Sequence, residues 1–162
     1  MALVLFLIIK NKQITNIKHS IKKKMKRIIY LASAITLLFL VSCGPNPEKS
    51  RMLCDKGVDY LYCSQFDEAI EYFNKAIECD ANNFEAYYFR GCAFSNNYKN
   101  DQAIADWEKA IEIKPDYADA YYNIGLIHYD RSDHSMACYY FKMAEKYGRQ
   151  NLEDYLKFCD YY

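Results

Sequence analysis

The chain has 162 residues, enough for one domain and a targeting segment. Its formal net charge of zero hides an uneven distribution: the first 43 residues carry eight basic and no acidic side chains, and the remainder carries 13 basic and 21 acidic ones. An acidic domain repels phosphate backbones, so nucleic acid is excluded as the expected partner. The asymmetry favours a basic targeting segment in front of an acidic domain.

Residues 1–42 are predicted to be this targeting segment. A basic pair after Met25 is followed by fourteen largely apolar residues, 28–41. A positive start, a short apolar stretch and small residues at a cleavage site are typical of a secretory signal. The stretch is shorter than the roughly 20 residues of a membrane-spanning helix. Residues 1–24 fit this scheme poorly, so we expect translation to start at Met25; otherwise they are an unusually long basic front.

The segment closes on Leu40-Val41-Ser42-Cys43, which resembles the bacterial lipobox. This resemblance implies cleavage before Cys43, lipidation of its thiol, and a membrane lipoprotein whose domain lies in the periplasm or at the cell surface. In many lipoproteins an aspartate after the cysteine causes retention in the inner membrane, so Gly44 favours the outer one. Residues 43–49, with two prolines and no apolar period, are predicted to be the lipidated cysteine and a flexible tether.

Three copies of one 34-residue pattern follow. Glycine, two series of alanine and one large aromatic recur with this period, at Gly57, Gly91, Gly125; Ala69, Ala103, Ala137; Ala76, Ala110, Ala144; and Phe73, Trp107, Phe141. Within each copy, apolar residues at helical spacing on both sides of a polar break predict two helices. Glycine inside a helix costs about 1 kcal/mol relative to alanine, so its recurrence indicates a close approach between the two helices. We assign all these positions to packing.

The pattern resembles the tetratricopeptide repeat, whose signature combines Trp-x2-Leu-Gly-x2-Tyr with Ala-x3-Phe, Ala and Pro. The second copy carries it most fully, in Tyr87, Gly91, Phe94, Ala103, Trp107, Ala110 and Pro115. Departures are Lys56 and Arg90 at the leucine position and His128 at the tyrosine position. The resemblance implies an all-α solenoid of three helical hairpins plus a C-terminal capping helix. The domain would span 50–162, with repeats 50–83, 84–117 and 118–151 and the cap at 152–162.

In tetratricopeptide domains the first helix of each repeat lines a concave, partner-binding groove. A second stripe on these helices, distinct from the packing positions, comprises Cys54, Val58, Leu61; Tyr88, Cys92, Ser95; and Tyr122, Leu126, Tyr129. We therefore expect the groove to contain Tyr88, Cys92, Tyr122, Leu126 and Tyr129, with the third copy the most exposed. The alternative is that the stripe pads adjacent first helices. Basic residues are missing where one subclass clamps a terminal carboxylate, so an apolar or tyrosine-rich groove is expected.

Catalytic chemistry is not predicted. The two histidines of the domain form no paired metal-ligand motif, and the glycines belong to the repeat, the tether and Gly148 rather than to a phosphate loop. No cofactor, metal or small-molecule substrate is expected. The six cysteines after Cys43 are interpreted as small buried apolar residues, although one or two disulfides would suit an oxidising compartment.

The lipobox and the repeat together predict a membrane-anchored adaptor in the bacterial cell envelope that binds another protein or a peptide. The alternative is a structural accessory subunit of an envelope assembly, such as outer-membrane protein insertion or cell-wall remodelling machinery. Neither feature identifies the partner.

Overall fold

The computed structural model describes residues 24–26 and 45–161, and the predicted signal segment and Cys43 otherwise lie outside these ranges. The chain from Pro45 onward forms one unit. Its helices are α1 (Pro47–Tyr62), α2 (Phe66–Cys79), α3 (Phe84–Asn96), α4 (Asn100–Ile113), α5 (Ala118–Asp130), α6 (His134–Lys146) and α7 (Glu153–Cys159). Three hairpins, α1–α2, α3–α4 and α5–α6, are followed by the short helix α7, so the predicted all-α solenoid is confirmed. Across 24–26 and 45–161, no helix is both long and apolar enough to span a bilayer.

Helix α1 begins earlier than the sequence analysis expected. The Asn46 side chain accepts a hydrogen bond from the Lys49 backbone N–H at 2.9 Å, and Pro47 occupies the first turn. Proline fits there because the first N–H groups of a helix lack partners within the helix. The Asn46 N–H also donates to the carbonyl of Cys79 at the end of α2, at 2.7 Å. The prediction of a flexible tether over 43–49 is therefore wrong for its last three residues, which are helical.

The two helices of each hairpin touch at the repeating glycines. A Cβ atom added to Gly57 would lie 2.5 Å from Cε1 of Phe73, and one added to Gly91 would lie 2.6 Å from Nε1 of Trp107. At Gly125 the distance to Cδ1 of Phe141 would be 2.8 Å. All these separations are too short for a real Cβ contact, so the predicted close approach is confirmed. The alanine positions of the pattern, Ala69, Ala76, Ala103, Ala110, Ala137 and Ala144, are fully buried.

Polar contacts link each hairpin to the one before it. Asn97 Nδ2, in the turn after α3, donates to Asp67 Oδ1 on α2 at 3.2 Å, across thirty residues of sequence. Arg131, in the turn after α5, makes the equivalent contact with Asp101 on α4 at 2.6 Å, again thirty residues apart. The two junctions between hairpins therefore use the same positions of the repeat.

Helix α7 covers the end of the third hairpin. Its helical residues are fewer than the predicted 152–162, because the chain is helical only over Glu153–Cys159. Leu152 and Cys159 are buried at its two ends. Cys159 forms a disulfide with Cys138 of α6, with Cα atoms 5.4 Å apart. The bridge closes a segment of 21 residues and fixes the cap to the second helix of the hairpin.

Candidate partner-binding surface

The first helices of the second and third hairpins, α3 and α5, meet at a group of polar atoms. Asn123 Nδ2 on α5 donates a hydrogen bond to the Tyr88 hydroxyl on α3 at 3.3 Å. The same nitrogen lies 3.9 Å from Sγ of Cys92. Tyr88 and Cys92, both expected in the groove, are therefore brought together by a residue of the neighbouring helix.

A cleft of about 300 Å³ opens beside this contact. We call it the central cleft. Polar side chains contribute much of its wall, and the buried Trp107 also borders it. Its remaining lining residues are Cys92, Ser95 and Asn96 from α3 and Asn123, Leu126, Ile127 and Asp130 from α5. The cleft thus combines apolar surface with hydrogen-bonding groups and one carboxylate, a combination that suits recognition of a peptide.

Rigid packing fixes Tyr88 at the border of this region. The Tyr88 ring stands edge-on to Tyr117, with centroids 4.9 Å apart, and its backbone carbonyl accepts a hydrogen bond from Trp107 Nε1 at 3.0 Å. Burial raises the pKa of both tyrosine hydroxyls well above the usual range, so these groups stay protonated and can donate hydrogen bonds at any physiological pH.

The thiols in this region are poorly suited to covalent chemistry. Burial raises the pKa of Cys92 to about 11, and burial together with the charges of Glu85 and Asp55 raises that of Cys54 to about 12. The thiolate is the nucleophilic form of cysteine, and it is scarcely populated at neutral pH in either residue. Within 24–26 and 45–161, no group of His, Cys, Asp and Glu is arranged to hold a metal ion.

Charged groups of both signs lie near the two helices. The Lys114 ammonium lies 5.3 Å from the centre of the Tyr117 ring, and the Arg149 guanidinium lies 4.4 Å from that of the Tyr122 ring. Burial raises the pKa of the Tyr117 hydroxyl, and the charges of Asp119 and Glu85 raise it further. Asp130 borders the central cleft. Asp119 is paired with Arg149 from the segment after α6, whereas Glu85 and Asp130 are exposed.

The third-copy stripe, Tyr122, Leu126 and Tyr129, is partly covered by the chain itself. The ring of Tyr155 on α7 lies 5.8 Å from that of Tyr122, and the Phe158 ring lies 4.9 Å from that of Tyr129. The predicted patch therefore lies at the margin of the capping helix, which packs its aromatic side chains there. Tyr122 is half-buried, and Tyr129 keeps 39% of its surface exposed at the margin. Leu126 contacts the aromatic cluster under α7 and also lines the central cleft.

Among the polar residues that line the cleft, Ser95 belongs to the predicted stripe, whereas Asn96 and Asp130 were not predicted. Asn96 lies one turn after Cys92 on α3, so the helical period was the available signal for it. Asp130 lies one turn after Leu126 on α5 and could have been found in the same way. Asn123 directly follows Tyr122 on α5, but the sequence does not connect it with Tyr88. Its hydrogen bond to Tyr88 spans 35 residues of sequence, a separation that no local pattern reports.

Comparisons with known proteins agree with this architecture. Residues 50–83 and residues 72–105 each match a family described as Tetratricopeptide repeat, and residues 99–131 match a TPR repeat family. The three segments overlap and together run from 50 to 131. No curated protein sequence matches the chain.

Solved structures of such domains superpose on the chain. The Arabidopsis OM64 TPR domain is 24% identical, with a TM-score of 0.66 over 72% of this chain and 98% of that one. The first TPR of Spaghetti (RPAP3), bound to an HSP90 peptide SRMEEVD, is 22% identical, with a TM-score of 0.66 over 72% of this chain and 94% of that one. MamA is 27% identical, with a TM-score of 0.59 over 63% of this chain and 60% of that one. The family matches and the shared fold therefore identify the chain as a tetratricopeptide-repeat protein.

Proposed function

We propose that the protein is a lipid-anchored adaptor of the bacterial envelope, which holds a partner protein by a peptide segment bound in the central cleft. The observation that carries the binding role is the juxtaposition of Asn123 with Tyr88 and Cys92, which creates polar and apolar surface side by side between α3 and α5. Fixed aromatic surface with a polar tip provides much contact area at a small entropic cost.

The charge of this surface favours a neutral or basic peptide. Asp130 is the charged residue that borders the cleft, and its side chain is exposed. The peptide in the Spaghetti (RPAP3) structure ends in the acidic sequence EEVD. Such a peptide would bring its carboxylates close to those of this chain and would be repelled. A segment with a lysine or arginine side chain would instead be attracted to Asp130.

The disulfide supports export of the domain. Structural disulfides persist in oxidising compartments such as the periplasm and the cell surface and are rare in the cytosol. Cys138 and Cys159 are bonded in the folded unit, as an exported domain behind a cleaved signal would allow. This agrees with the proposed lipobox and with attachment at Cys43.

The anchor is tested by mass and fractionation. The membrane fraction of cells expressing the full chain should contain a form that begins at Cys43 and carries acyl chains, detected by intact-mass analysis. A Cys43→Ala chain should lose the acyl mass and remain an uncleaved precursor. Recovery of the unmodified chain with residues 1–42 intact from wild-type cells would contradict the anchor.

The central cleft is tested by site-specific photo-crosslinking in the lipidated protein. A photoreactive amino acid at Asn96, which lines the cleft, should crosslink a partner peptide, whereas the same amino acid at the exposed Tyr139 of α6 should not. Ser95→Arg in the same chain adds bulk and positive charge beside the cleft and should remove the crosslink. Equal crosslinking from the two positions, or no effect of Ser95→Arg, would contradict the proposed site.

A structural subunit is the second candidate, and two exposed tyrosines favour it. Tyr62 at the end of α1 is 85% exposed, and Tyr98 in the turn after α3 is 94% exposed. Aromatic side chains are enriched at protein–protein interfaces, so a partner could cover either position. A permanent subunit should elute from size-exclusion chromatography with light scattering as a stable hetero-complex, whereas an adaptor should elute alone.

A further inference from the structure

We propose that the face of the third hairpin beneath α7 is a second docking surface, which takes an amphipathic helix with two aromatic residues and is opened by reduction of the Cys138–Cys159 disulfide. The inference goes beyond the central cleft and does not depend on the lipid anchor. In the folded chain this surface holds its own occupant, the capping helix.

The contacts of α7 define what the surface recognises. Tyr155 inserts between Tyr122 of α5 and Phe141 of α6, with ring centroids 5.8 and 4.5 Å away. Phe158, one turn later, stands edge-on to Tyr129 at 4.9 Å. The surface therefore accepts two aromatic side chains spaced three residues apart on one face of a helix, which is a helix-in-groove mode of binding.

Helix α7 is too short to be stable without its contacts to the third hairpin. It has only seven residues. Leu152, the N-cap residue just before it, makes no side-chain hydrogen bond to the first turn. Helices shorter than about 12 residues are marginal in water without tertiary support. The apolar contacts of Leu152, Tyr155 and Phe158 supply part of that support, and the disulfide from Cys159 to α6 supplies the covalent part.

Reduction of the Cys138–Cys159 disulfide would remove the covalent attachment of α7 to α6. A dithiol reductant, either a small dithiol or a protein with a Cys-x-x-Cys pair, attacks the S–S bond through a thiolate and forms a mixed disulfide. Its second thiol then resolves this intermediate. Two electrons and two protons pass from the reductant, whose sulfurs become a disulfide, and Cys138 and Cys159 become two thiols. The closed segment of 21 residues is then no longer constrained at its end.

The opened surface would adjoin the central cleft. Leu126 contributes both to the cleft and to the cluster that α7 covers. When α7 leaves, Tyr122, Leu126 and Tyr129 become continuous with the lining of the cleft. A partner helix bound there would occupy the position that a further repeat would take in a longer solenoid.

The test uses the full chain and a fluorescent synthetic peptide covering residues 150–161 with serine in place of Cys159. Fluorescence anisotropy is measured with the oxidised protein and again after treatment with dithiothreitol. We expect the apparent Kd to fall at least about 10-fold on reduction, because the peptide then competes with a released cap. Amide exchange of residues 153–159 should accelerate by about 100-fold, the order of magnitude expected when a disulfide of this loop length is lost.

Two variants separate this mechanism from general unfolding. The C138S/C159S double variant should bind the peptide without reductant, and adding Tyr129→Ala to it should weaken that binding. C63S, which removes an exposed free thiol, should respond to reduction as the wild type does. Unchanged Trp107 fluorescence would show that the second hairpin stays folded.

Three outcomes would overturn the proposal. The first is equal peptide binding by the oxidised and reduced chains. The second is unchanged amide exchange of residues 153–159 after reduction. The third is loss of helical circular dichroism throughout the reduced chain, because the bridge would then stabilise the whole domain rather than close one surface. Loss of crosslinking at Asn96 alone would count against the central cleft and leave this second surface unaffected.

Discussion

Arg90 of α3 donates two parallel hydrogen bonds to Asp106 of α4, from Nε to Oδ2 at 2.7 Å and from Nη2 to Oδ1 at 2.6 Å. Its third nitrogen, Nη1, donates to Asn74 Oδ1 on α2 at 2.6 Å. The pair is largely buried, with side-chain exposures of 19% and 9%. At the position where the repeat usually has leucine, the guanidinium of Arg90 therefore links the helices α2, α3 and α4 by hydrogen bonds.

Removing the carboxylate of this buried ion pair should destabilise the domain. Asp106→Ala leaves the guanidinium of Arg90 without its carboxylate in a mostly buried position, and we expect a loss of about 3 kcal/mol in the free energy of unfolding. Urea denaturation followed by circular dichroism measures the change. Lys109→Ala, which removes an exposed partner of Glu112 on the same helix, is the control and should leave the midpoint unchanged. A double Arg90→Leu/Asp106→Leu variant should recover most of the loss; if it is as unstable as Asp106→Ala, an unpaired charge is not the cause.

Adding one methyl group at Gly91 should also destabilise the domain. The new Cβ would lie 2.6 Å from Trp107 Nε1 and 3.1 Å from the Ala103 carbonyl oxygen, so the indole or the helix must shift. We expect Gly91→Ala to cost about 2–3 kcal/mol and to change the fluorescence of Trp107, the only tryptophan. Gly148→Ala is the comparison, because its Cβ would meet nothing within 4 Å and the residue has φ of +93°. Its cost of about 1 kcal/mol would come from the backbone alone, without a change in fluorescence. A tolerated Gly91→Ala would contradict the close helix contact.

The cap at Asn46 gives a prediction for the start of α1. Asn46→Ala removes the acceptor of the Lys49 N–H and should cost about 1 kcal/mol, with faster amide exchange in the first turn of α1. Gln65 occupies the same position before α2 but makes no side-chain cap bond. Gln65→Ala should therefore leave exchange in α2 unchanged, and an equal effect of the two substitutions would argue against a specific role of Asn46.

The buried Cys92 thiol should make stability depend on pH in the alkaline range. Its pKa rises from 9.0 to about 11 through burial, so the folded state holds the proton more tightly than the unfolded one. The resulting stabilisation is fully present below pH 9 and is lost as the pH rises to about 11. Urea denaturation between pH 8 and pH 11 should show wild type losing about 1–2 kcal/mol more than Cys92→Ala, which shares every other titrating group. Parallel curves for the two proteins would contradict a buried, protonated thiol.

The repeat could be predicted from sequence because its signals are local or strictly periodic. Gly57, Gly91 and Gly125 each face an aromatic residue sixteen positions later, and the 34-residue period repeats that relation. The start of α1 was also readable, since Asn46 followed by Pro47 is a typical capping pair. The prolines of this segment also favour a linker, and for this reason the pattern predicts a tether there.

The packing of α7 on the third stripe was not predictable in the same way. The apolar residues of α7 predict that the helix packs against the rest of the domain. The orientation of α7 on that surface depends on which cysteine is bonded to Cys159. Six cysteines after Cys43 allow many pairings, and only the fold brings Cys138 and Cys159 together. One hydrogen bond of Arg90 likewise requires Asn74, which lies sixteen residues earlier and on another hairpin. Such contacts require the helix arrangement first.

The thirty-residue contacts between hairpins have a consequence for how this domain could lengthen. Asn97 donates a hydrogen bond to Asp67 of the preceding hairpin, and Arg131 donates one to Asp101. The second hairpin therefore contains both a donor, Asn97, for the hairpin before it and an acceptor, Asp101, for the hairpin after it. Tandem duplication of residues 84–117 would place Asn97 of the new copy beside Asp101 of the old one, and Arg131 beside Asp101 of the new copy. This polar contact would therefore be available at both junctions of the lengthened solenoid.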